Sequence, residues 1–370
     1  MNFNFHMPVH VVSGEGAVAR SSTLLRALGK RCLIVTGGMS AKRSGALADV
    51  TAALDLWEIG WSVYDGVGQN PLVSACHEAG VVARSVRAEF IIGIGGGSPL
   101  DAAKAAAIFA ANERLAPMDI FQREYTSPPL PLVLIGTTAG TGSEVSPVSV
   151  LTIDGSGRKK SISGADCYAR LAFADPSYTH SVPFGVTVST ALDAFAHAAE
   201  GWFNPTLSDP VKLFAVKGLP MLWNGLVWLD KNTHLPDSKM RERLYYGSLY
   251  AGIVLSACGT AFPHPLGYVL TEDFGIPHGR ACTAFMPAFL ERGERFAPER
   301  ARAFYQVLGA DRETLFGVVE RLTDAGGVRM TPAQVEGYCA RWADVKNFRV
   351  SPGGFTAADA GELLTRLFVR

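Results

Sequence analysis

The 370-residue chain predicts two parts of different class: an α/β domain over residues 1–182 and an all-helical domain over 183–370. Three observations carry this. In the first part, continuous Val/Ile/Leu runs alternate with Ala-, Arg- and Leu-rich stretches, the pattern of a parallel sheet covered on both faces. Several of those runs end in glycine-dense turns. After Pro183 strand-like runs fade and helical segments follow one another.

Taken in order, strands are expected at 31–37, 61–68, 89–98 and 131–143, with helices at 41–54 and 73–87 between them. Asp154 and Gly155 lie between two apolar runs within 148–173, a hairpin signal. Helices are then expected at 185–201, 210–229, 241–258, 282–293, 297–308, 313–324, 332–345 and 356–369. Ligands of such a sheet bind at the carboxyl ends of its strands.

Composition narrows the class. Lys plus Arg and Asp plus Glu are 34 each, so no net basic field gathers nucleic acid. Apolar residues at 48% are ample for a core and argue against disorder. No apolar stretch reaches the roughly 20 residues of a membrane-spanning helix, so no membrane partner is expected. The opening MNFNFHMPVHVV lacks the charged and apolar regions of a secretory signal. Cys32, Cys76, Cys167, Cys258, Cys282 and Cys339 are scattered singly, which indicates neither a disulfide framework nor a cysteine zinc site. The expectation is a cytoplasmic enzyme.

The run at 89–98 ends in Gly93, Gly95, Gly96 and Gly97, then Ser98, Pro99 and Asp101, and opens the Ala-rich stretch 102–111. Glycines let a backbone approach a ligand, and a helix N-terminus offers free N–H groups and partial positive charge to an anion. Ser98 reads as an N-cap, Pro99 as the first helical residue and Asp101 as the partner in a capping box. GxGxxG fails, because Ser98 holds the third glycine position, and no P-loop lysine follows. Alone, the cluster reads equally well as a tight strand–helix turn. A second turn, from Gly136 through Thr137, Thr138, Gly140, Thr141, Gly142 and Ser143 to Glu144, also ends a strand and is dense in hydroxyls. The pair of turns argues for a phosphate-bearing ligand.

Asp193 and His197 lie four apart in ALDAFAHAAEGWF and face one side of a helix. Alone they read as a helical ion pair or a satisfied core histidine. His264 stands between prolines and His278 in a Pro-His-Gly turn. One Asp and three His make a competent donor set for Fe2+ or Zn2+.

Together the motifs at 95–101, 137–144, 190–197 and 277–279 resemble the iron-containing (group III) alcohol dehydrogenases, which share a fold with glycerol dehydrogenase and dehydroquinate synthase. The likeness runs over essentially the whole chain and is nearest the 1,3-propanediol dehydrogenase-like branch. It implies an N-terminal dinucleotide-binding domain, an all-α metal-binding domain and a homodimer. It implies a divalent metal, usually Fe2+ with Zn2+ as an alternative, held by Asp193, His197, His264 and His278. The spacing of 14 between His264 and His278 matches the family's last two ligands. A histidine that many members carry four residues after the third ligand is Tyr268 here, so Tyr268 or a water serves any proton relay. A second alignment makes His264 that histidine and leaves Thr260 at the ligand position, at the cost of the spacing to His278. Cofactor contacts are implied for Gly37, Gly38, Ser40, Asn70, Gly95, Gly96, Gly97, Ser98, Asp101, Thr137, Thr138, Thr141, Ser143 and Lys160.

NAD-preferring relatives carry an acidic residue after the first strand. The matching stretch, 36–43, has no carboxylate and offers Ser40, Lys42 and Arg43 to a 2′-phosphate. It predicts NADP(H) over NAD(H), against the alternative of a solvated helix start. The expected activity is hydride transfer between the nicotinamide and a small primary alcohol or aldehyde, with Phe262, Phe274 and Tyr268 as pocket walls. The rivals are a dehydroquinate synthase-like lyase, a non-catalytic nucleotide-binding paralogue, and a reductase of anionic aldehydes using Arg280.

Overall fold

The computed structural model describes residues 3–343 and 345–369. Residues 1, 2, 344 and 370, which fall within the expected segments 1–182, 332–345 and 183–370, lie outside the described residues. The chain forms two compact units. One comprises His6–Pro183 with Pro236–Tyr245; the other comprises Phe184–Leu235 and Tyr246–Arg370 with the first residues of the chain.

The first unit holds the strands β1 (His10–Ser13), β2 (Arg31–Val35), β3 (Gly60–Tyr64), β4 (Phe90–Gly95), β5 (Leu132–Gly136), β6 (Val148–Thr152), β7 (Lys159–Ser163) and β8 (Leu171–Ala174). Six of them form one sheet in the order β1-β8-β5-β4-β2-β3, every neighbouring pair parallel. Its helices are α1 (Ala17–Arg20), α2 (Ser40–Arg43), α3 (Ala46–Leu56), α4 (Val73–Ser85) and α5 (Gly97–Ala111). Successive side chains of a strand enter opposite layers. Leu33, Ile91 and Leu134 pack with the alanines of α5, whereas Ile34, Ile92 and Ile135 pack with Val50 and Leu54 of α3. Burial on both faces is why these strands read as continuous apolar runs.

After β2 the chain moves outward to β3, and after β4 it moves the other way to β5. The direction therefore reverses between β2 and β4, the topological switch point at which open α/β sheets bind ligands. The turns holding Gly37, Gly38 and Ser40 and Gly96, Gly97 and Ser98 follow those two strands.

The sequence expectations need adjustment at several places. The helix at 41–54 is split by Gly45 at φ 85° into α2 and α3. The four-residue strand β1, beside β8, carried no legible signal. The hairpin β6–β7 forms around Asp154 and Gly155, but Leu171–Ala174 leaves it for the parallel sheet.

The helices that follow are α6 (Phe184–Phe203), α7 (Asp209–Lys231), α8 (Ser238–Cys258), α9 (Pro263–Phe274), α10 (His278–Thr283), α11 (Met286–Phe296), α12 (Pro298–Leu308), α13 (Arg312–Thr323), α14 (Pro332–Cys339), α15 (Lys346–Arg349) and α16 (Ala357–Phe368). α6 is buried all round from Ala191 to Phe203, as a central helix must be. α9 escaped the sequence reading because Pro263 and Pro265 look like breakers. Both lie in the first turn, where a missing N–H costs nothing. The helix expected at 282–293 is two, broken between Thr283 and Met286. The one expected at 332–345 ends at Cys339 and tightens into a 3-10 turn to Trp342. No single helix among the described residues is long and apolar enough to cross a membrane.

Candidate metal centre and glycine-rich edge

Asp193 and His197 stand one turn apart on α6, with side chains only 6% and 7% exposed. α10 packs directly on them. A Cβ on Gly279 would stand 1.8 Å from the Ser189 carbonyl oxygen and 2.8 Å from the Asp193 nitrogen, so only glycine fits after His278. Gly275, left-handed at φ 67°, ends α9, and Pro277 then leads into α10 at His278. His264 comes from the first turn of α9.

These elements converge on one atom. Asp193 Oδ1 lies 3.7 Å from His197 Nε2, 3.7 Å from His264 Nε2 and 3.8 Å from His278 Nε2. Asp193 Oδ1 and His264 Nε2 are buried without a hydrogen-bond partner, against the strong tendency of buried polar atoms to be satisfied. A cation with bonds of about 2.0–2.2 Å in a tetrahedral shell spaces its donors by about 3.3–3.6 Å, so each imidazole stands near that spacing from Asp193 Oδ1. Thr260, the alternative ligand position, instead accepts from Asn347 Nδ2 on its Oγ1 at 2.7 Å and on its carbonyl at 2.9 Å.

The electrostatics agree. Burial pushes the Asp193 carboxyl up, but the surrounding imidazoles win and hold it well below the carboxylate range. Burial disfavours a charged His264, yet Glu200 and Asp193 outweigh it and raise it to about 10. Burial pushes the Glu200 carboxyl up, so it is the ionised Asp193 carboxylate that demands positive charge at this place.

Glu200 was missed in the sequence. Its Oε1 lies 2.7 Å from His264 Nδ1, and its Oε2 accepts the Ala261 N–H at 2.6 Å. With a cation at the cluster, a donor hydrogen kept at Nδ1 by Glu200 would leave the Nε2 lone pair free to hold it. The signal was available: Glu200 follows Asp193 by seven residues on the same face of an apolar helix. Cys282 was also missed, because cysteines were read for CxxC pairs. Asp193, His264, His278 and Cys282 offer ligand atoms that all lie within 4.8 Å of one another. Tyr268 stacks on the His278 ring at 5.4 Å. Phe262 is no pocket wall at this cluster; it is fully buried and stacks on Phe355 at 4.0 Å. Arg280 pairs with Asp324 at 3.7 Å.

At the sheet edge the structure corrects the capping reading. α5 begins at Gly97 with Gly96 as its cap, so Ser98 is not the N-cap, Pro99 is not the first helical residue, and no capping box with Asp101 forms. Ser98 Oγ accepts the Asn70 N–H at 3.1 Å, with Asn70 left-handed at φ 57°. Asp101 accepts from Ser143 Oγ at 2.7 Å and from the Val150 N–H at 2.9 Å. The fully buried Lys104 donates to Ser143 Oγ at 2.6 Å, Ser146 O at 3.0 Å and Val148 O at 2.7 Å, with Asp101 at 3.8 Å. Burial lowers the Lys104 pKa and raises that of Asp101, each partly offset by the other.

The glycines let the two turns close on each other. A Cβ on Gly97 would stand 2.5 Å from Thr141 Cγ2, one on Gly96 3.3 Å from Thr138, and one on Gly136 1.7 Å from Glu144 Oε1. Gly95, at φ 151°, faces Pro99. Two hydroxyls at the strand ends, Thr36 Oγ1 and Thr137 Oγ1, are buried without partners. After β2, Gly37 abuts the Val67 carbonyl, Gly38 sits at φ 54°, and Ser40 Oγ donates to Gly37 O at 3.4 Å. Lys42 and Arg43 are exposed on α2. Lys160 lies exposed on β7, its ammonium 4.9 Å over the Phe121 ring.

Comparison with known proteins extends along the chain. The iron-containing alcohol dehydrogenase family matches residues 8–176, and the C-terminal part of the Fe-containing alcohol dehydrogenase family matches 187–329. The chain is 30% identical to the sulfoacetaldehyde reductase of Bilophila wadsworthia (strain 3_1_6), over 88% of this chain and 84% of that protein. A crystal structure of an iron-containing alcohol dehydrogenase from Thermotoga maritima superposes with a TM-score of 0.90 at 31% identity, covering 99% of each chain. The sulfoacetaldehyde reductase of Bifidobacterium kashiwanohense, in complex with NAD+, superposes with a TM-score of 0.86 at 25% identity, again over 99% of each. These likenesses favour neither a lyase nor a non-catalytic paralogue. The chain belongs to the iron-containing alcohol dehydrogenase family and is an oxidoreductase interconverting alcohols and aldehydes.

Proposed function

We propose that this chain reduces small aldehydes, and oxidises the matching primary alcohols, with NADP(H) preferred over NAD(H) and with Fe2+ or Zn2+ held by Asp193, His197, His264 and His278. The observation that carries the reading is the ring of three imidazole nitrogens 3.7–3.8 Å from one buried carboxylate oxygen. When bound, the metal supplies a Lewis acid for the substrate oxygen and the nicotinamide supplies or takes the hydride.

The chain's own residues do the rest. Asp193 reduces the positive charge of the site, and Glu200 keeps His264 Nε2 turned inward. His278, with its side chain 29% exposed, is the open side of the cluster. Tyr268, stacked on it, is the group at hand to hold or pass a proton at the substrate oxygen. The buried length of α6 keeps water from the cluster. In residues 1–182, the N–H groups at Gly96, Gly97 and Ser98, with the hydroxyls of Thr137, Thr138 and Thr141, receive the cofactor phosphates. Gly37, Gly38, Ser40 and Asn70 face the riboses, and Lys160 adds charge. Asp101 and Ser143, engaged by Lys104, set the positions of the two turns. We assign metal and substrate binding to residues 183–370. Lys42 and Arg43 support the choice of NADP(H), since both are exposed and no carboxylate stands among residues 36–43.

The working form we propose is a cytoplasmic homodimer, with β1 as the sheet edge that a second copy extends; size-exclusion chromatography tests it. The main experiment is anaerobic purification with metal analysis, then NADPH and NADH oxidation with short aldehydes, sulfonate-bearing ones included. The expected result is metal-dependent turnover with NADPH favoured. Replacing both Lys42 and Arg43 by Ala is expected to lower kcat/KM for NADPH by about tenfold and leave NADH unchanged. A wild-type preference for NADH defeats the cofactor choice. A metal-loaded protein inert with every aldehyde defeats the enzymatic reading.

A further inference from the structure

One buried acid of the α/β unit has no part in the chemistry described above. Glu144 closes the second glycine-rich turn and is 4% exposed. Its side chain folds back over the beginning of that turn. A Cβ on Gly136 would stand 1.7 Å from Glu144 Oε1 and 2.7 Å from its Cδ. The carboxyl thus fills the space that a glycine leaves at the end of β5, and it ties the last residue of the turn to the first.

Glu144 is held from outside the turn as well. Tyr245, 2% exposed and 101 residues on, donates its hydroxyl hydrogen to Glu144 Oε1 at 3.3 Å. Both residues belong to the unit formed by His6–Pro183 and Pro236–Tyr245. Tyr245 stands on α8, and a second buried group one turn earlier fixes the start of that helix. Arg241 donates through Nη1 to the Thr179 carbonyl, through Nη2 to the Val182 carbonyl at 3.1 Å and through Nε to the Pro236 carbonyl at 3.2 Å. A planar fork engaged on three carbonyls leaves the first turns of α8 little freedom to rotate or slide, so the Tyr245 hydroxyl has a set direction. Burial pushes the Glu144 carboxyl up, and its own N–H, the Lys104 ammonium and the Tyr245 hydroxyl offset part of that. A buried acceptor that loses its donor costs more than the bond itself contributed. Without the hydroxyl, the carboxyl pressed on Gly136 seeks another place and the turn moves with it.

Thr137, Thr138 and Thr141, the hydroxyls assigned above to the cofactor phosphates, stand on this turn. Ser143 is held by Asp101 and Lys104 of α5, and Glu144 by Tyr245 of α8. Resting on that reading of the cofactor site, we propose that Tyr245 is a positioning residue for the nicotinamide cofactor: through Glu144 it fixes the turn 136–144 in the shape that receives the phosphates. Hydrogen bonds weaken steeply away from their best geometry, so a displaced turn binds the phosphates less well. The phosphates take no part in the hydride step. The loss is therefore felt in cofactor binding and not in turnover once the cofactor is bound.

The test uses the full-length protein and measures binding of NADPH and NADH by titration, kcat at saturating cofactor, metal content and urea unfolding. Tyr245→Phe keeps the packed ring and removes only the hydroxyl. It is expected to raise Kd and KM for the cofactor about fivefold and to leave kcat and metal content as in the wild type. Glu144→Ala is expected to raise Kd about tenfold, and adding Tyr245→Phe to it is expected to weaken binding no further, because the hydroxyl then has nothing to hold. Should Glu144→Ala fail to fold, the Kd of Tyr245→Phe still decides. A Tyr245→Phe protein that binds the cofactor as the wild type does, one that unfolds more easily with Kd unchanged, or two effects that simply add overturns the role of Tyr245 and leaves the cofactor site standing. A wild type that binds neither nucleotide overturns both.

Discussion

At the glycine-rich edge, buried Lys104 donates to Ser143, Ser146 and Val148, and Asp101 accepts from Ser143 and Val150. In the helical cluster, Asp193 Oδ1 and His264 Nε2 are just as buried and have no hydrogen-bond partner. In the first region the buried charges are met by the chain's own residues, and the buried atoms left without a partner are two neutral hydroxyls, Thr36 Oγ1 and Thr137 Oγ1. Its charged groups are spent on holding the turns, and what it presents outward is backbone N–H and hydroxyl. The second region is electrostatically incomplete: the ionised Asp193 carboxylate calls for positive charge, and the groups that face it are three imidazoles. A residue's presence in a motif therefore does not say whether it meets the ligand or builds the place where the ligand sits.

Substitutions that separate frame from donor break or sharpen this contrast. The largest effect is expected for Asp193→Asn. Metal analysis should find no stoichiometric cation, and kcat/KM should fall by about 10³-fold or more; normal metal content would show that Asp193 is not a donor. Lys104→Met should act oppositely. Leaving Asp101 buried without its partner is expected to cost about 3–5 kcal/mol in denaturant unfolding with metal content per folded chain unchanged. A neutral result would mean that the ion pair is dispensable to the frame.

Gly97→Ala should cost about 1–3 kcal/mol through the clash with Thr141. Adding Thr141→Ser removes the offending methyl and should restore most of that stability and of NADPH affinity. If the double variant is no better than the single one, the glycine serves the ligand and not the neighbouring turn. Glu200→Gln should weaken zinc binding by about 10–100-fold in competition with a chelator. An unchanged affinity would show that Glu200 only packs.

Much of the fold and the residues Asp193, His197, His264 and His278 of the cluster were legible in the amino-acid order. Continuous apolar runs, glycine turns and the spacing of Asp193 and His197 are local signals, set by strand burial, turn geometry and helical periodicity. The sequence by itself also carried the motifs that lead to the family. Other features were settled by residues distant in the chain. Ser98 turned out to serve Asn70, 28 residues away, and not the cap of its own helix. Lys104 hid in an alanine-rich helix because nothing local shows that its ammonium reaches Ser146 and Val148, 42 and 44 residues on. Glu200 acquires its meaning from His264, 64 residues away. Cys282 comes beside the cluster where α9 and α10 meet closely at Gly267. Periodicity assigns each side chain a face, but which partner meets that face is decided by how closely the helices approach, and that depends on glycines whose need for space exists only once the tertiary structure has formed.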